Sequence, residues 1–401
     1  LEEQGVSADA AVADVDAAIQ QAILVGARDV LLEQLVDLAG AADAREALLQ
    51  LAVSNLPVSP AGLAHMLADA EPTEAQVDTA RAALDHLTTL SLAYRTGPED
   101  AGADRDAAVH RWTAEGLARR SDEAELHTRS SRAGRYRMWR VKHDSKSIVD
   151  GMEAVRNFLA GQSYDDASRE AIGIIQFFQR NNQTTMIALV AGEVLETLPA
   201  EQGDYGFLLD QEARAYLALG FSERAFEQYG RLLRLFQQRV TDYPDRADYQ
   251  RDLSVSYNKV GDLYRALGQG EQARDAYQRS LDIAERLAKA EPDRADYQRD
   301  LSVSYTRLAQ HHLSLDEPQE AFGYFVKDLQ IAERLAQAEP GRADYQVDLA
   351  ISLMQVAPFT DKRTELLTSA LQILTTLQAE GRLDPSRAGM IERIQALLEG
   401  G

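Results

Sequence analysis

Apolar residues return every three or four positions along most of the chain. Between 252 and 267, Leu253, Tyr257, Val260, Leu263, Tyr264 and Leu267 share one helical face. Gly268 and Gly270 close that helix, since glycine takes the left-handed conformation of a C-cap at little cost. A second stripe, Ala273, Tyr277, Leu281, Ala284 and Leu287, continues to about Ala290, and Pro292 stops it. The pattern predicts a helical hairpin, its first helix over Asp252–Ala266.

The hairpin recurs. Residues 244–257 read PDRADYQRDLSVSY, residues 292–305 read the same fourteen letters at an offset of 48, and PGRADYQVDLAISL follows at 340–353. Small residues hold one position of this frame (Ala213, Gly261, Ala309, Ala357) and Ala225, Ala273 and Ala321 another; Tyr229, Tyr277 and Phe325 hold a third. A helix pair leaves an apolar face that only its neighbour covers, so such units stack in a line. The Asp and Tyr of the strictly kept motif are expected to cap helices and fill the seam between units. Residues 350–401, ending in a helix over 391–398, are expected to close the array.

The order aromatic, Gly or Ala, Tyr, Ala, aromatic, carried by Tyr257, Gly261, Tyr264, Ala273 and Tyr277, resembles the tetratricopeptide repeat family over residues 205–360. The unit is 48 residues long, against roughly 34 in the family, the difference lengthening both helices. The resemblance implies an all-α solenoid, a right-handed superhelix whose inner surface comes from the first helix of each pair. Carried over by position, the partner-facing residues are Asp210, Arg214 and Leu217; then Asn258, Asp262 and Arg265; then Thr306, Gln310 and Leu313. Asn258 and Asp262 stand where chaperone-binding members need Lys and Asn, so a carboxylate-clamp receptor is disfavoured. The mixed charges favour a protein or peptide partner that is itself mixed. These positions differ between copies while the seam motif does not.

The front half is organised differently. Apolar helices over about 44–54, 60–68 and 73–90 precede a strand at 91–96, a loop rich in Gly and Asp, and a strand at 107–109, which together predict a small winged helix. LLQLAVSNLPVS (48–59), ALDHLTTLSLAYR (83–95) and VHRWTAEGLARR (109–120) resemble the winged-helix region of bacterial STAND/NB-ARC-type signalling ATPases. RYRMWRV (135–141) and the helices from 147 to 198 resemble the degenerate repeats that follow in such proteins. The resemblance implies that His110 matches a histidine that contacts the phosphates of bound ADP in a full-length parent. The chain holds no GxxxxGK[ST], and GQGEQA (268–273) is a helix–helix turn with no strand before it. No ATP or ADP site, and no other cofactor or metal, is therefore expected in this chain. The expected organisation is connecting helices over 1–42, a winged-helix-like domain over 43–118, and a linking helix with degenerate repeats over 119–204. Repeats over 205–360 and capping helices over 361–401 complete it.

Charge narrows the partners. The net charge is −22, and residues 1–110 hold 19 acids against five arginines and no lysine. Such a surface repels nucleic acid and anionic membrane. The candidate recognition helix, residues 73–90, carries Arg81 as its only Lys or Arg against Glu74, Asp78 and Asp85, the reverse of what phosphates need. Residues 129–146 oppose the trend. Arg129, Arg132, Arg135, Arg137, Arg140, Lys142 and Lys146 face Asp144 alone, interleaved with Tyr136 and Trp139. These cations have three uses open to them: contact with an anion or stacked bases, docking on the acidic front segment, or coating a linking helix. The acidic neighbour favours the latter two.

Chemistry is sparse. There is no cysteine, which excludes disulfides and fits a cytoplasmic setting. His311 and His312 are adjacent, so on a helix they point about 100° apart and make poor joint ligands; a solvated or partly packed pair is expected. No carboxylate pair or nucleophile motif marks an enzyme. The chain opens on Leu1 and is expected to be a piece of something longer. These features fit the ligand-sensing module of a STAND-type regulator whose ATPase domain lies outside this chain. A free-standing repeat adaptor and the sensor of a transcription regulator are the alternatives.

Overall fold

The computed structural model describes residues 42–399 except 98 and 144, and the connecting helices expected over 1–42 fall outside it but for residue 42. Seventeen α-helices and one two-stranded sheet occur among the described residues. The chain divides into two compact units between Glu212 and Ala213.

The first unit opens with α1 (Ala42–Ala52), α2 (Pro60–Ala68) and α3 (Glu74–Thr89). Each boundary has a chemical cause. Ser59 accepts from the Gly62 amide at the start of α2, and Pro60 stands where a missing N–H costs nothing. Thr73 and Gln76 form a reciprocal capping box on α3. Strands β1 (Ala93–Arg95) and β2 (Ala107–Val109) pair antiparallel, with Tyr94 opposite Ala108, and α4 (Arg111–Arg120) follows. Leu48, Leu51, Leu63, Met66, Leu84, Leu87 and Leu92 fill the core beneath them, and Ala133 and Tyr136 of α5 (Glu123–His143) close it. Helices α6 (Ile148–Ala160), α7 (Tyr164–Arg180) and α8 (Thr184–Leu195) then pack in sequence order, and α9 (Tyr205–Ala218) carries the boundary between the units.

The second unit is a run of helical hairpins. They are α10 (Ser222–Asp242), α11 (Ala247–Ala266), α12 (Gly270–Ala290), α13 (Ala295–Ser314), α14 (Pro318–Ala338) and α15 (Ala343–Val356). Helices α16 (Arg363–Ala379) and α17 (Gly389–Glu399) cover the apolar side of α15 through Leu367, Leu374, Ile391 and Ile394. Each helix packs on its neighbours in sequence, and α11 also meets α13. This is an all-α, repeat-built solenoid.

Helix α11 begins at Ala247, five residues before the expected Asp252. The motif does not work through a side-chain cap: Arg246 occupies the N-cap and makes no capping bond. Instead its guanidinium grips Asp248 with bonds of 2.8 and 2.6 Å and lies 4.4 Å from the Tyr249 ring. The same clamp is built by Arg294, Asp296 and Tyr297, and by Arg342, Asp344 and Tyr345. The arginine bond holds Asp248 and Asp344 below the usual carboxylate range. The aspartate thus fixes an arginine over a ring, and the clamp starts the helix; Tyr297 and Tyr345 are buried in the seam.

Charge also ties unit to unit. Arg251 of α11 pairs with Asp300 of α13, and Arg299 of α13 pairs with Asp348 of α15 at 2.7 Å. Inside one seam the hydroxyls of Ser254, Ser280 and Ser304 link at 2.9 and 3.2 Å. Gly261 is required by close approach, because a β-carbon there would lie 2.5 Å from Cε1 of Tyr277.

Candidate functional site

A cleft of about 610 Å³ opens in the second unit. Its walls are Arg299, Ser302, Val303, Thr306, Arg307 and Gln310 of α13 with Asp348, Ile351, Ser352 and Gln355 of α15. Arg251 of α11 and Arg387 stand at its margin, and Asp328 of α14 forms part of its lining. First helices thus supply nearly all of the surface. Val303 and Ile351 share one frame position along it, which Val255 holds in the preceding unit, and Val255 and Val303 are exposed.

The cations of the cleft are mostly neutralised from within. Arg251 meets Asp300, Arg299 meets Asp348, and Arg307 meets Asp262 at 3.3 Å. Arg387 has no ion-pair partner among the described residues. Gln355 Oε1 and Arg307 Nε are buried without a hydrogen-bond partner among the described residues. Such atoms lose their hydration for nothing unless a ligand or water meets them.

Asp328 is the residue that family analogy did not find. It is 3% exposed and accepts hydrogen bonds from the hydroxyls of Ser302 and, at 2.7 Å, Ser352. Burial raises its carboxyl, the hydroxyls of Ser302, Ser352 and Thr306 pull the other way, and Asp348 adds repulsion of like sign. No Lys or Arg lies within ion-pair distance of it among the described residues.

The inward positions named from the sequence fall into separate environments. Thr306 and Gln310 line the cleft, both half-buried. Asn258 is buried and donates to Ser304 Oγ at 3.4 Å. Asp262 accepts from Tyr277 Oη at 2.7 Å, so Asn258 and Asp262 also serve the packing. Arg265, Leu313 and Arg214 are exposed and Leu217 is half-buried. Asp210 is buried, and the division between units separates it from Arg214.

In the first unit the basic stretch turns inward. Arg129 bonds Glu46 at 2.9 Å and Glu125 at 3.1 Å, Arg135 grips Asp69 with two bonds of 2.8 Å, and Trp139 donates to Glu71. Arg137 is 1% exposed, meets Asp150 at 3.1 Å, and donates to the carbonyls of Leu56 and Pro57. Arg140 lies 3.6 Å from the same aspartate. Arg132 lines a small pocket together with Asp43 and Glu46, and Lys142 is exposed near the end of α5. On α3, Arg81 is held by Asp78 and Asp104. His110 is the exposed N-cap of α4, makes no capping bond, and its ring lies 4.7 Å from that of Tyr94.

The two adjacent histidines are buried rather than solvated. Burial lowers His311, and His312 bonds Glu317 at 2.6 Å while stacking on Tyr324. No group of three His, Asp or Glu side chains converges as metal ligands among the described residues.

The sequence profile of the tetratricopeptide repeat family matches residues 252–316, which take in most of α11, all of α12 and α13, and the start of the turn toward α14. No curated protein matches the sequence. Among solved structures, the nearly identical repeats of a putative kinesin light chain from Podospora anserina align at 21% identity and a TM-score of 0.40. That alignment covers 53% of this chain and 96% of that one. BtubC from P. vanneervenii aligns at 13% identity and a TM-score of 0.38, over 70% of this chain and 94% of that one. A STAND protein with a tetratricopeptide repeat sensor from Pyrococcus horikoshii aligns at 15% identity and a TM-score of 0.26. It covers 93% of this chain and 65% of that one. These overlaps are loose and bear on fold alone. Repeats of this kind make the chain a protein-interaction module. No helix among the described residues is long and apolar enough to cross a membrane.

Proposed function

We propose that the chain is the sensor portion of a bacterial STAND-type regulator. The α13–α15 cleft binds an extended protein or peptide trigger, and the event passes to an ATPase domain on the same parent protein. One observation carries the binding half: the frame positions of Thr306, Arg307 and Gln310, which line the cleft, differ from copy to copy, while the ladder that ties unit to unit along it is kept. Arg251 and Arg299 keep one ladder, whereas Asn258, Thr306 and Met354 share a frame position with nothing in common. A core gains nothing from such variation; a surface that fits an irregular ligand requires it. The STAND half is supported by the likeness of residues 48–59, 83–95 and 109–120 and by three helices followed by a hairpin. In that setting His110 would sense nucleotide, the chain alone would neither hydrolyse ATP nor bind it tightly, and the location would be cytoplasmic.

Two experiments test this. The coding region directly upstream is expected to encode a P-loop; a separate start codon with no such domain before it would make the chain a free-standing adaptor. Crosslinking of the full-length regulator with its trigger is expected to label α13 and α15, and labelling confined to α12 and α14 would place binding on the other face.

A further inference from the structure

The two complete seams of the array differ in one chemical respect. Between α11 and α13 the centre is the hydroxyl cluster Ser254, Ser280 and Ser304. Between α13 and α15 the equivalent of Ser280 is Asp328, held by Ser302 and Ser352. Serine therefore suffices to build such a seam. An aspartate adds a charge in a place where an unpaired ion costs several kcal/mol.

Among the described residues no Lys or Arg pairs with that charge, and only hydroxyls bond it. Arg251, Arg299 and Arg307 are committed to Asp300, Asp348 and Asp262, and Arg387, the remaining arginine of the cleft, lies beyond ion-pair distance of Asp328. The charge bearing on Asp328 is Asp348, of the same sign. The hydroxyls occupy only part of a carboxylate's capacity of about four acceptor sites. In the same lining, Gln355 Oε1 is a buried acceptor with no partner among the described residues. One partnerless acceptor and one carboxylate bonded only by hydroxyls border a cleft of about 610 Å³, room for several side chains. The carboxylates do not converge as a metal site, so the complement is an organic cation rich in donors.

We propose that this cleft takes a lysine or arginine side chain of an extended peptide, its cationic head on Asp328. The proposal rests on the reading of the cleft as the partner-binding surface. The peptide's main chain then runs along α13 and α15 past Val303 and Ile351, and Thr306 and Gln310 fix its register. Specificity follows from the uncompensated charge, since a neutral side chain would leave it buried beside an apolar group.

The test uses a phage-displayed library of random dodecapeptides selected on the full chain, on Asp328→Ser and on Val303→Trp, which fills the cleft. Peptides selected by the wild-type protein are expected to carry Lys or Arg at one fixed register. Asp328→Ser should weaken them about 30-fold or more. Their norleucine versions should bind wild type no better than Asp328→Ser. Circular dichroism should show Asp328→Ser folded, because serine is what the neighbouring seam already uses. Peptides lost on Val303→Trp but lacking a fixed cation, or indifferent to Asp328→Ser, would overturn the cation site and leave the groove reading standing. If Val303→Trp costs no selected peptide its binding, the groove reading falls and the cation site with it.

Discussion

Replacing Gly261 by alanine tests how tightly a helix pair is closed. The added carbon would sit 2.5 Å from Cε1 and 2.7 Å from Cδ1 of Tyr277, against about 3.5–4.0 Å for a relaxed carbon contact. The ring must retreat by roughly 1 Å, and it is fully buried. It is also tethered, since Tyr277 Oη donates to Asp262, which is itself paired with Arg307. Overpacking of this kind costs about 1–3 kcal/mol, and straining the hydrogen bond adds roughly 1 kcal/mol. Removing a helical glycine returns about 1 kcal/mol. The net expectation is a loss of about 1–3 kcal/mol. The next unit points to the tether as the cause: Ala309 there shares its unit with Phe325, which has no hydroxyl. Tyr277→Phe should therefore recover about 1 kcal/mol in the Gly261→Ala background beyond its effect alone. Urea denaturation followed by circular dichroism reads both numbers. A Gly261→Ala protein as stable as wild type, or strictly additive substitutions, would refute the account.

Arg137→Met leaves Asp150 buried with only Arg140 at 3.6 Å, and should cost about 3–5 kcal/mol, read as a lowered urea midpoint; an unchanged midpoint would refute it. For Asp328 the folded carboxyl is raised, chiefly by burial. Its contribution to stability is therefore fullest below the unfolded value of about 3.9 and is lost as pH rises through the folded one. Asp328→Ser should accordingly melt higher than wild type at neutral pH, with the gap closing toward pH 4; a gap that widens in acid reverses the sign and the reasoning. Because Arg81, Arg129, Arg135 and Arg137 are paired internally, duplex DNA should show no sequence-specific binding by fluorescence anisotropy at about 0.15 M salt. A specific complex lost on substituting α3 would overturn this.

The repeat frame was legible because stacking units copy their buried residues: Ala273 and Tyr277 return as Ala321 and Phe325. Helix starts were less so. The aspartate of RADYQ reads as a helix cap, whereas the Arg246–Asp248–Tyr249 clamp it belongs to is visible only once guanidinium and ring face each other. Family analogy drew the inner surface from first helices and so passed over Asp328, which reaches the cleft from a second helix. A signal was present: the frame position runs Leu232, Ser280, Asp328, a charge appearing where its equivalents are buried. Analogy also treated Asn258 and Asp262 as ligand-facing alone, because one-dimensional spacing does not show that Ser304 and Tyr277 reach them. The basic stretch was ambiguous for the same reason. Which carboxylate answers Arg135 is a question about residue 69, far away in sequence.

The Arg251–Asp300 and Arg299–Asp348 bonds all run the same way, each unit offering an arginine forward and an aspartate back. A segment of 48 residues duplicated in register would present the same pair of ends to its neighbours on both sides. Unequal recombination between the two identical fourteen-residue stretches produces such a segment without damaging a seam. Gain or loss of a unit would change the length of the groove, and hence the length of ligand it measures, while leaving every junction chemically unaltered. The series has a built-in terminus, because Val347 stands at the next arginine position and offers nothing forward. Copies can be inserted before that valine, and the array still ends at the same place.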